Sequence, residues 1–111
     1  MYEYNAKVLR VIDGDTIEAV VDLGFGVSRK DKFRLAGINA PEMRGEEREA
    51  GKAAKEWLVN FLKIHNNEVR VQTIKDKQGK YGRYLAELLT STGEWSINVA
   101  LVRAGHAEFT T

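Results

Sequence analysis

A single stretch of helical period is set among segments that alternate with a period of two, and this contrast limits the chain to a few architectures. Ala50, Ala53, Ala54, Trp57, Leu58, Phe61, Leu62 and Ile64 recur at steps of three and four with Glu and Lys between them, so one long amphipathic helix is expected there. Glu46, Glu47 and Glu49 lie near its start, where the helix dipole favours anions, and Asn66 and Asn67 are placed to end it. Before the helix, a strand is expected from Tyr4 to Ile12, then a turn at "DGDT", Asp13 to Thr16. Ile17, Ala19, Val21 and Leu23 then alternate with polar partners as a half-buried strand. "GFG" at 24–26 and the charged "SRKDK" suggest a turn or bulge before a third strand carrying Phe33 to Ile38.

After the helix, Val69, Val71 and Thr73 alternate as a fourth strand. "KDKQGK" reads as a turn, Tyr81 to Thr90 as the returning strand and "STGE" at 91–94 as another turn. A short helix from about Ile97 to Ala104 is closed by Gly105. Three strands, a helix, two strands and a short helix suit a five-stranded Greek-key barrel of the OB type, with the long helix after strand 3; an α+β sandwich also satisfies the pattern. The 111 residues are enough for one domain with one modest core.

Composition narrows the function less than the fold. Hydrophobic residues make up 43% and charged residues 30%, with one Pro, which excludes a disordered or fibrous chain. No apolar run approaches the roughly 20 residues of a membrane span, so no membrane partner is expected. The start, "MYEYNAKVLR", lacks the basic-then-apolar pattern of a secretory signal, which is expected of an intracellular protein or of a mature or trimmed form. With no cysteine, disulfides and thiolate metal sites are excluded. The net charge of +1 says little about partners, but Arg70, Lys75, Lys77, Lys80 and Arg83 face only Asp76 between Val69 and Arg83. That run is either a solvated hairpin face or a phosphate-binding one.

Chemistry concentrates elsewhere. "FRLAGINAPE", Phe33 to Glu42, places an arginine inside an apolar run that stops at the only proline, with a glutamate next. Cleaving a phosphodiester needs an activated water, neutralisation of the phosphoryl oxygens and alignment for in-line attack. A glutamate can take the water's proton, arginine forks match phosphate oxygens, and neighbouring carboxylates can hold a hard cation. Asp13 with Asp15, Arg34 with Glu42, and Arg83 in "KYGR" would supply such a set. Each also has a plain structural reading: "DGDT" as a tight turn, Glu42 as a cap, Arg34 as a paired surface charge, Arg83 as one more cation on a basic hairpin. His65 and His106 read as residues at helix boundaries, and Trp57 and Trp95 as core or rim packing.

"VIDGDTI" (11–17), "FRLAGINAPE" (33–42), "DKQGKYGRYLAEL" (76–88) and "INVALVRAGHA" (97–107), in this order, resemble the staphylococcal (micrococcal) nuclease or thermonuclease family over nearly the whole chain, from about Lys7 to Ala107. The resemblance implies an OB barrel with helices packed on it. It implies Ca²⁺-dependent hydrolysis of DNA and RNA, with little sequence specificity and 3′-phosphate products. On matching positions it implies Glu42 as general base or water-orienting group, and Arg34 and Arg83 as clamps on the phosphoryl charge, with Arg83 also assisting the leaving oxygen. It implies Asp15 as a direct Ca²⁺ ligand, Asp13 as an acidic neighbour of the metal, and Lys80 and Tyr81 as contacts to a nucleotide phosphate. Asn98 and Arg103 match at positions that read as structural.

Two departures stand out. The family usually carries an aspartate as second metal ligand where this chain has Asn39, and a threonine where it has Ala40. An Asn39 side-chain oxygen and an Ala40 backbone carbonyl can still bind a hard cation, but with one negative charge fewer, so looser Ca²⁺ binding is expected. The family also commonly continues past the position of "HAEFTT" with tyrosines and a further helix. Apolar surface near Trp95, Leu101 and Phe109 is therefore expected to be exposed and to favour self-association. Two functions remain to be separated: an active nuclease, and a non-catalytic OB module binding nucleic acid or protein.

Overall fold

The computed structural model describes residues 2–78 and 83–110, with the backbone alone at 74–78. β1 (Tyr2–Asp13), β2 (Thr16–Gly24), β3 (Val27–Leu35), β5 (Glu68–Gln78) and β6 (Tyr84–Thr90) close into a barrel in the order β1-β2-β3-β6-β5, with β5 returning to β1. All neighbours are antiparallel except β3 and β6, which run parallel with Phe33 opposite Tyr84 and Arg34 opposite Leu85. This is the OB-type barrel that the alternation pattern favours over a sandwich. Closure removes the sheet edges that a five-stranded sheet of this length would otherwise expose.

The barrel is filled from alternate positions. Ile17, Ala19 and Val21 of β2, Phe33 and Leu35 of β3, Val69 and Val71 of β5, and Ala86 and Leu88 of β6 are all buried. The helix α1 (Arg48–Ile64) follows a 3-10 turn at Gly45–Glu47 and lays Gly51, Ala54, Leu58 and Leu62 inward. Its buried stripe is narrower than the sequence pattern suggested: Ala50, Ala53 and Ile64 are exposed. Asn66 and Asn67 end the helix as expected, both in the left-handed conformation with φ of 58°.

The third strand ends earlier than expected. It stops at Leu35, and Ile38–Asn39 is a separate short strand, β4, paired to β7 (Glu108–Phe109). Gly37, with φ of 77°, makes the break. The "SRKDK" segment lies within β3, and the turn before it is confined to Gly24–Gly26. β5 runs on to Gln78, through most of the segment expected as a turn, with a register break against β6 between Thr73 and Gln78. β6 starts at Tyr84; of the segment expected before it, 81–82 lies outside the described residues.

The short helix α2 (Ile97–Arg103) starts at Ser96, whose hydroxyl accepts from the Val99 N–H at 3.2 Å. Gly105 closes it with φ of 83°, while the His106 N–H reaches the Leu101 carbonyl at 3.0 Å. Asn98 ties this helix to the barrel. Its buried amide accepts from the Leu88 N–H at 3.0 Å and donates to the Ala36 and Ala86 carbonyls at 3.0 and 3.2 Å. No helix among the described residues is long and apolar enough to cross a membrane.

Candidate active site

The β1–β2 turn builds the first wall. Asp13, Gly14, Asp15 and Thr16 form the connection, and the Asp13 carboxylate accepts from the Asp15 N–H at 3.1 Å. The turn sits tightly under the rest of the site. A Cβ on Gly14 would lie 2.8 Å from the side chains of both Ala40 and Ala54, so a small residue is needed at all three places. α1 comes equally close on its first turns. A Cβ on Gly51 would lie 2.2 Å from the Glu42 carbonyl oxygen. The helix thus presses directly on the backbone that carries Glu42.

Arg34 leaves the end of β3 and is held from several sides. One guanidinium nitrogen donates to the carbonyls of Leu35 and Ile38 at 2.9 and 3.0 Å. The other donates to the Asn39 side-chain oxygen and pairs with Asp15 Oδ2 at 3.3 Å. The same Asp15 oxygen accepts from the Ala40 N–H at 2.9 Å. On its far side, Asp15 Oδ1 accepts from the Thr16 hydroxyl at 3.4 Å, and that hydroxyl accepts from Arg83 Nη1 at 3.2 Å. One buried carboxylate therefore sits between two guanidinium groups, one in direct contact and one through a hydroxyl.

Burial pushes the Asp15 carboxyl up to about 6, and the neighbouring Asp13 carboxyl adds to the rise. The Ala40 N–H and the Arg34 charge pull the other way without cancelling it. A second positive charge beside Asp15 would offset this burial cost. The oxygen donors around it suit a hard cation in kind: the Asp15 carboxylate, the Asn39 amide oxygen and the Ala40 backbone carbonyl. They carry little charge, and no three His, Cys, Asp or Glu residues gather into a metal-holding group among the described residues.

These side chains line one open cleft of about 650 Å³. Asp13, Asp15, Arg34, Asn39, Ala40, Glu42 and Arg83 all border it, although they come from four separate parts of the chain. Glu42 is exposed on its rim. Lys80 and Tyr81, the remaining expected contacts, lie outside the described residues. Arg44, Glu47, His106 and Glu108 also border the cleft and were not expected there. His106 follows the Gly105 cap, as its boundary reading requires, but the turn directs it back to the site, 6.0 Å from the Trp57 ring. For Arg44 and Glu47 the only available signal was their closeness in sequence to Glu42.

The basic run divides. Arg70 pairs with Glu3 at 3.0 Å and donates to the Ser91 carbonyl, so it is part of the barrel's outer face, while Arg83 enters the cleft. Trp57 packs on Phe61 with centroids 5.1 Å apart, as a packing residue should. Trp95 and Phe109 are 64% and 61% exposed, as expected, but Leu101 lies on the buried face of α2 and contributes nothing to an exposed patch.

Comparison with known proteins decides the lineage. The family described as staphylococcal nuclease homologue matches residues 32–111, the part that carries Arg34, Glu42 and Arg83. The chain belongs to the staphylococcal nuclease family. It is 36% identical to a thermonuclease of Staphylococcus intermedius over 90% of its length and 56% of that protein. It is 34% identical to the thermonuclease of Staphylococcus hyicus over 95% of its length and 59% of that protein. Endonuclease YhcR of Bacillus subtilis (strain 168) is 31% identical over 95% of this chain, but the match covers only 9% of that much longer protein. The chain thus spans little more than half of the thermonucleases it matches. Within this staphylococcal nuclease domain, the barrel, both helices and the cleft are all present.

Proposed function

We propose that this domain is a phosphodiesterase that hydrolyses DNA and RNA with little sequence specificity, uses Ca²⁺ and leaves 3′-phosphate ends. The observation that carries this reading is the convergence of Arg34, Arg83, Glu42 and Asp15 on one open cleft. The endonuclease and thermonuclease names of its relatives support the same class of reaction.

In this reading Arg34 and Arg83 bind the non-bridging oxygens of the scissile phosphate and take up the charge that grows on them. Arg34 is held by two backbone carbonyls, so its guanidinium is oriented before substrate arrives and little ordering is needed during reaction. Glu42, on the rim, accepts the proton of the attacking water and holds it in line with the leaving oxygen. Attack on phosphorus breaks the bond to the 5′ oxygen, and Arg83 stabilises that oxygen as it departs. Ca²⁺, when bound, supplies Lewis-acid stabilisation of the phosphoryl group; Asp15, Asn39 and the Ala40 carbonyl would hold it. Contacts are made to phosphates, which carry no sequence information, so affinity should fall steeply with salt.

A second reading, an OB module that binds without cleaving, draws on Asn39: its side-chain oxygen accepts from Arg34, and it adds no charge to a cation site. The deciding experiment is degradation of single-stranded DNA by the purified chain in millimolar Ca²⁺ and in chelator, beside Glu42→Ser. Ca²⁺-dependent cleavage lost in the variant supports the nuclease. Binding without cleavage at every calcium level supports the binding module.

A further inference from the structure

The end of the barrel away from the cleft holds a small second cavity of about 120 Å³. Its walls are Val21, Leu23 and Phe33 with the rings of Tyr4 and Tyr84, and Thr73 also lines it. Thr73 is 7% exposed, and its hydroxyl oxygen finds no hydrogen-bond partner among the described residues. A buried hydroxyl without a partner costs stability, and valine has the same shape without that cost. The fold alone therefore gives no reason for threonine here.

Among the described residues, the charges at the rim are paired. Arg29 pairs with Asp31 at 2.9 Å, donates to the Tyr84 hydroxyl at 3.1 Å and lies 5.5 Å from the centre of the Tyr84 ring. Tyr84 in turn packs 6.2 Å from Phe33. Asp31 compensates the Arg29 charge, so among the described residues nothing at this rim favours phosphate. Aliphatic and aromatic walls with an unused hydroxyl suit a flat, neutral, hydrogen-bonding heterocycle.

The cavity is also tied to the catalytic strands. Phe33 and Tyr84 are the immediate neighbours of Arg34 and Arg83 in the chain and are paired across β3 and β6. On β2, Val21 follows Thr16 by five residues of one strand, roughly 17 Å at ~3.3 Å per residue. A minimal OB-fold site spans about four nucleotides, so a strand clamped at the cleft can reach this end.

We infer that the barrel mouth lined by Thr73, Tyr4 and Tyr84 is a subsite for one base of the substrate strand, distinct from the cleft that holds the scissile phosphate. The base enters between the aliphatic and aromatic walls and hydrogen-bonds to the Thr73 hydroxyl. This inference rests on the nucleic-acid reading of the cleft, and it deepens that reading by naming a preference for unpaired bases.

The test is fluorescence anisotropy in chelator, so that nothing is cleaved, with a short oligothymidylate and with the same backbone carrying abasic sites. The readout is the ratio of the two affinities. A stacked base supports a ratio of roughly fivefold or more in the unaltered protein. Leu23→Trp, which fills the mouth from an exposed position, should bring the ratio close to one. Thr73→Val should lower it while keeping or raising the melting temperature, and Thr73→Ser should restore it. A ratio near one in the unaltered protein, or a ratio unmoved by both Leu23→Trp and Thr73→Val, overturns the subsite. If oligothymidylate and abasic strand bind equally and are cleaved when Ca²⁺ is added, only the subsite falls. If neither strand binds, the nucleic-acid reading falls with it.

Discussion

Gly51 of α1 lies against the backbone of Glu42 so closely that a Cβ on it would stand 2.2 Å from the Glu42 carbonyl oxygen and 2.6 Å from its carbonyl carbon. The helix is thus more than a cover for the barrel. It is the surface on which the rim carboxylate is seated.

Gly51→Ala should therefore act on catalysis through position alone. The added methyl has to displace the Glu42–Met43 backbone, and if Glu42 is the general base proposed above, a shift near 1 Å there costs on the order of a hundredfold in rate. The expected outcome is a kcat lower by at least tenfold, with oligonucleotide binding in chelator within a few-fold of normal. A variant that cleaves at the normal rate would show that Glu42 does not depend on this contact.

Asp15 makes stability depend on pH in a direction opposite to most carboxylates. Its carboxyl is raised from 3.8 to about 6 in the folded chain, so the folded state holds the proton more tightly than the unfolded one. Below about pH 4 both states are protonated and there is no penalty; as pH rises to about 6 the folded state loses stability, and above that the loss is complete. Asp15→Asn should therefore stabilise the protein in chelator at pH 7 by on the order of 1–3 kcal/mol, and by much less near pH 4. Urea unfolding at the two pH values measures it. Equal effects at both would mean that burial does not dominate this site.

If the cleft binds Ca²⁺ as proposed, Asn39→Asp should tighten that binding by adding a ligand charge, roughly three- to tenfold. Isothermal titration calorimetry reports it directly. No change in Kd would remove position 39 from the cation site and leave its side chain as an acceptor for Arg34.

Asn98→Ala should cost about 2–4 kcal/mol, because the Leu88 N–H and the Ala36 and Ala86 carbonyls lose their partner inside the fold. Chemical denaturation at constant m-value checks the size. A loss under 1 kcal/mol would mean that water replaces the amide.

Local pattern was enough for the number and order of the barrel strands and for both helices, though not for where β3 and β5 end. The two-residue alternation of Ile17, Ala19 and Val21 and the left-handed Asn66 and Asn67 follow from short-range sterics and burial, which neighbouring residues decide. The candidate site was legible because its expected parts lie in three short motifs, around Asp13–Asp15, Arg34–Glu42 and Arg83, each with its own chemistry. What the sequence by itself could not determine were the relations between distant segments. β4 and β7 are two residues each and exist only because they meet one another. His106 enters the cleft only because the turn after α2 directs it there. Gly14, Gly51 and Ala54 look unremarkable in sequence, and Ala40 drew notice only for its backbone carbonyl, yet α1 can approach the site only if all four are small. The elevation of Asp15 to about 6 is likewise mainly tertiary: the Asp13 carboxyl is local to the turn, but the burial that dominates the rise comes only with the closed fold.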